Sequence, residues 1–427
     1  MRIVLVMYIR RHSRIHEQVL LSNTFQLLTG TILIIVITVI PRWGLEFWKH
    51  IDTNSANAFI GVLTSFSIVT ISLRKLFKYP GAQSSAYILP SVAIVYGLMM
   101  LVYLLIRSDY SIQGLILGAV VTLVWCYIGY FLGHRYRKQR FALIPFGEAL
   151  DFPSLHGTEF VFLQKPDLEK QRFDGVVADL LSEGLTPDWE KFLAKCTLSR
   201  IPVYHTKQII ESLTGRVKIN HLSENELGTL LPSIFYERIK RFIDFLMAVV
   251  LLPFLIPILL ITSVLIRMES RGPAFFLQKR MGFRGRPFTV IKFRTMSQDI
   301  KGKGFTEGEN DPRITKLGKY LRKYRIDELP QIFNVLLGDM SFIGPRPESM
   351  ELSEWYEKDV PFFAYRHVVR PGISGWAQVE QGYAAEVNGM KVKLEYDFYY
   401  IKNFSFWLDM LVTFKTVKTI LTGFGAR

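Results

Sequence analysis

Asp327 and Glu328, adjacent acids at the head of Asp327-Glu328-Leu329-Pro330-Gln331-Ile332-Phe333-Asn334-Val335-Leu336, are the residues best suited to bond chemistry. Read alone, the segment predicts a helix start, with an Asp as N-cap and a Pro in the first turn, where a missing N–H has no partner to lose. A helix N-terminus favours ionised carboxylates and nearby phosphate. Capping would account for such a pair, but not for the cations around it. Between Arg267 and Arg325 lie sixteen Lys/Arg and five Asp/Glu. Lys292-Phe293-Arg294 ends a strand-like run, Phe288–Ile291, so its two cations project from one face and Phe293 from the other. Arg322, Lys323 and Arg325 lead directly into the acids, and Gly344-Pro345-Arg346-Pro347 stiffens a loop around one Arg, whose planar fork suits phosphate. A carboxylate approaching a diphosphate is repelled by about 4 kcal/mol per charge pair at about 4 Å and an effective dielectric of about 20. Cations here would offset that repulsion, so the pattern points to phosphate chemistry at an acid.

Other chemistries find less support. Cys126 lies in an apolar run and Cys196 in a polar one, giving neither a disulfide nor a zinc spacing. No Gly-x-Gly-x-x-Gly follows the first strand-like piece of the middle segment. Tyr236 and Lys240 have the Tyr-x-x-x-Lys spacing of short-chain dehydrogenases but abut an apolar segment, and the match reads as coincidence. The formal charge of +15 predicts anionic partners: phosphorylated substrates or acidic headgroups. Nucleic acid fits poorly, because the basic stretch is tied to a membrane anchor.

The elements that must position these residues begin with membrane segments. Phe25–Ile40, Ala58–Leu73, Ala86–Ile106 and Ile112–Leu132 are apolar, against the roughly 20 residues a spanning helix needs. The first two are short and borrow from their flanks. Arg10, Arg11 and Arg14 precede the first, Arg74, Lys75 and Lys78 follow the second, and Arg135, Arg137, Lys138 and Arg140 follow the fourth. This bias puts both ends of a four-helix bundle, residues 1–133, on the cytoplasmic side. The start lacks the order of a secretory leader, so none is expected. Residues 134–232 predict a small α/β unit, with strands at Phe160–Leu163, Gly175–Val177 and Ile201–Tyr204 and helices at Pro187–Cys196 and Thr206–Ser212. A further apolar stretch, Phe242–Ile266, has basic residues at both ends and Pro253 and Pro257 inside. A helix that enters the membrane, breaks at proline and returns to the same face satisfies both features; a kinked span is the other reading. Phe404–Gly425 predicts a helix lying along the surface.

From about Arg238 to Arg427 the chain resembles the bacterial sugar transferases, the monotopic polyprenyl-phosphate phosphoglycosyl transferases. Six blocks carry the resemblance in order: Arg271-Gly272-Pro273-Ala274-Phe275-Phe276, Lys292-Phe293-Arg294-Thr295-Met296, Asp327-Glu328-Leu329-Pro330-Gln331, Gly338-Asp339-Met340-Ser341, Gly344-Pro345-Arg346-Pro347 and Arg370-Pro371-Gly372-Ile373-Ser374-Gly375-Trp376-Ala377-Gln378. It implies the large form: a four-span bundle, a shortened Rossmann-like domain over 134–232, and an α-rich monotopic catalytic domain over 233–427. A re-entrant hairpin at about 242–266 would anchor the last, broken at Pro257, which Ile256 precedes where relatives often have Ser. It further implies transfer of a sugar-1-phosphate from a UDP-sugar to undecaprenyl phosphate at the cytoplasmic face of a bacterial inner membrane, releasing UMP and beginning exopolysaccharide, capsule or O-antigen synthesis. Asp327 would be the nucleophile, transiently phosphorylated, and Glu328, with Asp327, the ligand of Mg²⁺. Lys292, Arg294, Arg322, Arg346 and Arg370 would bind substrate phosphate. Asp397 and Tyr400 are candidates for the nucleotide or lipid side, whereas Tyr396, Phe398 and Trp407 read as packing. A homodimer is compatible with this picture. The rival readings are a non-catalytic scaffold for polysaccharide assembly and a glycosyltransferase that releases UDP.

Overall fold

A computed structural model describes residues 19–20, 22–40, 52–82, 84–136, 139–150, 152–153, 158–169, 171, 173–218, 231–297, 311–381 and 387–422. The basic residues expected at Arg10, Arg11, Arg14, Arg137 and Lys138 lie outside them. The chain divides into two compact units, Met1–Thr214 and Gly215–Arg427.

In the first unit, helix α1 (Asn23–Ile34) runs into a π turn, Ile35–Val39, and is followed by α2 (Thr53–Leu76), α3 (Ile88–Ile106) and α4 (Ile112–Tyr136). Ser22 and Asp52 cap α1 and α2 by accepting from Phe25 and Ser55 N–H. Together with the turn before α3, α2, α3 and α4 are long and apolar enough to cross a membrane, whereas Asn23–Val39 is apolar but shorter. All four helices contribute to one core around Ile34, Val62, Phe66, Val92 and Leu115. Several buried hydroxyls are satisfied within the bundle: Thr70 donates to the Phe66 carbonyl at 2.7 Å and Tyr96 pairs with Thr122 at 2.7 Å.

A four-stranded parallel sheet follows, ordered β2-β1-β3-β4, from β1 (Gln139–Leu143), β2 (Thr158–Phe162), β3 (Gly175–Ala178) and β4 (Val203–His205). Helices α5 (Pro187–Leu198) and α6 (Thr206–Thr214) contribute Phe192 and Ile209 to two separate cores on the sheet. The predicted strands and helices are present. Strand β1, central in the order, is an addition: its basic start reads in sequence as the flank of the fourth span.

The second unit begins with α7 (Ile234–Glu269), one continuous helix of 36 residues with Pro253 and Pro257 inside it. It too is long and apolar enough to cross a membrane. Both of its ends bond to other elements of this unit. Arg241 donates to the Leu336 carbonyl at 2.8 Å, and Glu269 accepts from Leu317 N–H at 2.9 Å. The antiparallel hairpin β5 (Phe275–Met281) and β6 (Pro287–Phe293) comes next, then α8 (Lys316–Lys323), a 3₁₀ turn over Ile326–Gln331 and α9 (Ile332–Leu337). Strand β7 (Ser341–Ile343), α10 (Met350–Asp359), β8 (Gly372–Ser374), α11 (Trp376–Glu380), α12 (Val387–Lys402) and α13 (Phe406–Thr422) complete it, with β7 and β8 paired in parallel.

Two expectations change here. Asp327 is not an N-cap: Arg325, left-handed at φ 58°, reverses the chain, and the acid sits inside the 3₁₀ turn. Nor does the last helix simply lie on a surface. Leu408, Leu411 and Val412 of α13 are buried, and Asp409 accepts from Lys240, Tyr236 and Tyr400, each at 2.6 Å. Tyr236 and Lys240 therefore share one buried carboxylate and tie α7 to α12 and α13.

Candidate active site

The carboxylate pair is held in place by α9 and the β5/β6 hairpin. Asn334 of α9 accepts from Ile291 N–H at 3.0 Å and donates to the Thr289 carbonyl at 2.7 Å, clamping β6 beside the 3₁₀ turn. Lys292, one residue on, is thereby brought to the acids. From the other side, β7 runs into the Gly344-Pro345-Arg346-Pro347 loop. A Cβ at Gly344 would stand 2.4 Å from the Arg370 carbonyl, so only glycine lets the loop cross β8's entry this closely.

Glu328 is buried and fully engaged. Arg346 grips it with two N–H groups, at 2.5 and 3.2 Å, Lys292 donates at 3.2 Å, and Arg325 stands 3.8 Å away. Burial alone would raise its pKa, but Arg346 and Lys292 override that and hold it well below the usual carboxylate range. Asp327 goes the other way. Burial and then the Glu328 charge push it up to about 6, against the opposing pull of Lys292, Arg346 and Arg325. Its Oδ1 is buried without a hydrogen-bond partner among the described residues. Lys292 is pushed down to about 8 by burial, partly countered by Glu328. Two neighbouring acids thus have opposite environments, the usual mark of divided chemical roles. One is a fixed counter-charge; the other has an oxygen available for a bond.

Behind the loop lies a second layer that the sequence did not reveal. Arg366 donates to the Arg346 carbonyl at 2.8 Å and pairs with Asp397 at 2.8 Å and Glu348 at 3.4 Å. Arg280 donates to the Pro347 carbonyl, and Lys393 to Glu348. Burial would raise Glu348, yet Lys393 and Arg366 bring it down to about 2. Two successive main-chain carbonyls, those of Arg346 and Pro347, are therefore gripped by guanidinium groups. The only sequence signal was the presence of charged residues at positions that turn out to be buried.

The other expected site residues fall as follows. Arg322 donates to Thr295 Oγ1 at 2.9 Å, and its charge acts on Asp327. Arg294 does not converge with Lys292: its guanidinium donates to the carbonyls of Arg271 at 2.5 Å and Ser270 at 2.7 Å, closing the α7–β5 turn. Arg370 pairs with Glu237 at 2.9 Å and the Gly338 carbonyl at 3.2 Å. Asp397 and Tyr400 are buried, the first against Arg366 and the second against Asp409 and the Ile343 carbonyl. Tyr396 lies beside the Arg216 guanidinium, Phe398 is fully buried, and Trp407 packs edge-on to Phe406. For a divalent cation, no group of three or more His, Cys, Asp or Glu stands together among the described residues. Of the pair, only Asp327 offers a bare oxygen of the right hardness for Mg²⁺, because both Glu328 oxygens already accept from Arg346 and Lys292; a bound Mg²⁺ would complete its shell with water and substrate phosphate.

Apolar helices of membrane-crossing length, and a unit whose buried cations surround an acid pair, define a membrane enzyme that handles phosphate. The sequence profile of the bacterial sugar transferases matches residues 235–423. Over 423 residues the chain is 50% identical to the UDP-N-acetylgalactosamine-undecaprenyl-phosphate N-acetylgalactosaminephosphotransferase of Aeromonas hydrophila, spanning 98% of this chain and 100% of that one. It is 43% identical over 186 residues to the UDP-glucose:undecaprenyl-phosphate glucose-1-phosphate transferase of Xanthomonas campestris pv. campestris, spanning 43% of this chain and 38% of that one. The uncharacterized sugar transferase EpsL of Bacillus subtilis is 41% identical over 189 residues, 44% of this chain and 90% of that one. The chain belongs to the bacterial sugar transferase family, in its large form, and is a phosphotransferase.

Proposed function

We propose that this protein transfers a sugar-1-phosphate from a UDP-sugar to undecaprenyl phosphate through a phosphosugar ester of Asp327. The observation that carries the reading is the bare, buried Oδ1 of Asp327 beside a Glu328 held ionised by Arg346 and Lys292. That oxygen attacks the sugar-bearing phosphorus, and the bond to the UMP oxygen breaks. An oxygen of the acceptor phosphate then attacks the same phosphorus, the acyl-phosphate bond breaks, and Asp327 is restored. Lys292 and Arg346, with Arg322 nearby, offset the repulsion between acid and diphosphate. Mg²⁺ held beside Asp327, at the acid pair, would neutralise charge on the diphosphate. The full-length likeness to the Aeromonas protein supports an N-acetylhexosamine as the sugar, and a panel of UDP-sugars tests that choice.

The acceptor's phosphate lies at headgroup level, which gives α7 its purpose. In this reading α7 dips into the cytoplasmic leaflet of the inner membrane and returns, bending at Pro253 and Pro257; the basic residues at both ends support it. The decisive experiment incubates the enzyme with UDP-sugar alone and looks for a phosphosugar adduct by mass spectrometry. The adduct is expected on Asp327 with one UMP released per enzyme, and is absent in Asp327→Asn. Normal turnover without any adduct, or release of UDP, would overturn the reading.

A further inference from the structure

The tip of the β5/β6 hairpin carries an arrangement the transfer reaction does not use. Two guanidinium groups lie against the Phe283 ring, Arg284 at 4.8 Å and Arg370 at 4.6 Å from its centre. Arg284 is exposed and left-handed at φ 56°, a conformation unfavourable for a side chain of this size, and Arg286 is exposed two residues on. Arg370 and Arg241 both reach Gly338, Arg370 through its carbonyl and Arg241 within 3.0 Å of where a Cβ would stand. Their charges oppose each other, with Glu237, Asp244 and Asp339 as the acids in reach. Four arginines thus share three acids.

What surrounds them is apolar and open. Leu337 is 74% exposed and Phe242 67% exposed, and the Arg241 guanidinium lies 6.0 Å from the Phe245 ring. Phe242 begins the apolar face of α7. Guanidinium groups clustered where apolar side chains start are placed as at a bilayer interface, where a basic group meets phosphate and its neighbours meet acyl chains. The hairpin-tip part of this patch is separate from the acid pair. Pro287 and Lys292 are five residues apart on β6, about 17 Å at the rise of an extended strand. A headgroup held at Arg284 and Arg286 is therefore not the phosphate transferred at Asp327.

We propose that Arg241, Arg284, Arg286 and Arg370 form a binding site for the headgroup of an anionic membrane phospholipid, which seats the hairpin tip on the bilayer. The test uses the full-length protein in nanodiscs containing a phosphatidylglycerol with a photoreactive group near its headgroup. Adducts are expected in the peptides around 281–287 and 336–340, and not with the matching phosphatidylcholine. Arg284→Asn with Arg286→Gln removes two charges, and asparagine tolerates the left-handed turn. The yield should fall by about 25-fold, given about a five-fold contribution per basic residue near an anionic surface. Arg286→Gln alone, which leaves the strained position untouched, should give an intermediate yield and guards against misfolding of the double variant. Equal labelling by phosphatidylcholine, or unchanged yield in both variants, overturns the site. Loss of labelling on adding inorganic phosphate overturns it too, because the patch would then hold a soluble anion. No turnover is measured, so the result is independent of the transfer mechanism.

Discussion

Asp327 can be tested as a titrating group before any substrate is added. Its pKa is raised from 3.8 to about 6, first by burial and then by Glu328, so between these values the folded state holds a proton the unfolded chain has lost. Stability should therefore fall as pH rises from about 4 to about 6, and the penalty remains in full above that. Asp327→Asn should then raise the apparent melting temperature near neutral pH, with a gain of about 1–3 kcal/mol for a shift of about two units, while abolishing transfer. Difference infrared spectra of metal-free protein, wild type minus Asp327→Asn, should show a protonated-carboxyl band that disappears around pH 6. Glu328→Gln should move that midpoint down by removing the like charge. A midpoint unmoved in Glu328→Gln would refute the electrostatic origin of the shift. At this scale the sequence was partly legible. The acids, Lys292 and Arg346 are of the right type and do converge. Arg294 is equally cationic in sequence, but its guanidinium closes a turn, because only the folded backbone reveals which carbonyls need a donor.

The elements around Arg346 form a chain of constraint from α12 through Glu348 and Arg366 to the loop's main chain. Arg366→Met should be severe. It leaves Asp397 and Glu348 buried with fewer partners, a change of about 3–5 kcal/mol that threatens folding. Arg366→Lys is the sharper probe, because it keeps the charge and loses the fork that reaches the Arg346 carbonyl. If the loop must be held for transfer, kcat should drop by about ten-fold or more with little change in melting temperature and a smaller change in KM. A parallel loss of stability and activity would instead mark Arg366 as a folding residue only. The regular elements were readable because apolar runs and alternation announce them. Two things escaped: β1, whose basic start doubles as a membrane flank, and the 3₁₀ turn, which depends on the left-handed backbone of Arg325 rather than on side-chain pattern.

At the scale of the whole chain, composition made the membrane segments legible, but not the path of α7. A straight helix of 36 residues is about 54 Å long, more than a hydrocarbon core of about 30 Å. Were it to cross, its amino-terminal end at Arg241 and its carboxy-terminal end at Glu269 would face opposite compartments. Yet Arg241 bonds to the end of α9 and Glu269 caps α8, elements joined by only the short 3₁₀ turn. Contacts from both ends of α7 to elements of one unit favour the returning path proposed above over a crossing one. Cysteine accessibility in intact cells decides, after Cys126 and Cys196 are replaced by serine. A cysteine at Asp109, in the connection between α3 and α4, should react with a membrane-impermeant maleimide from outside. Cysteines at Arg271 and Arg284 should react only after the membrane is permeabilised. Labelling of Arg271→Cys from outside would mean that α7 crosses, and would leave the acid pair in a compartment where a nucleotide-sugar donor is not supplied.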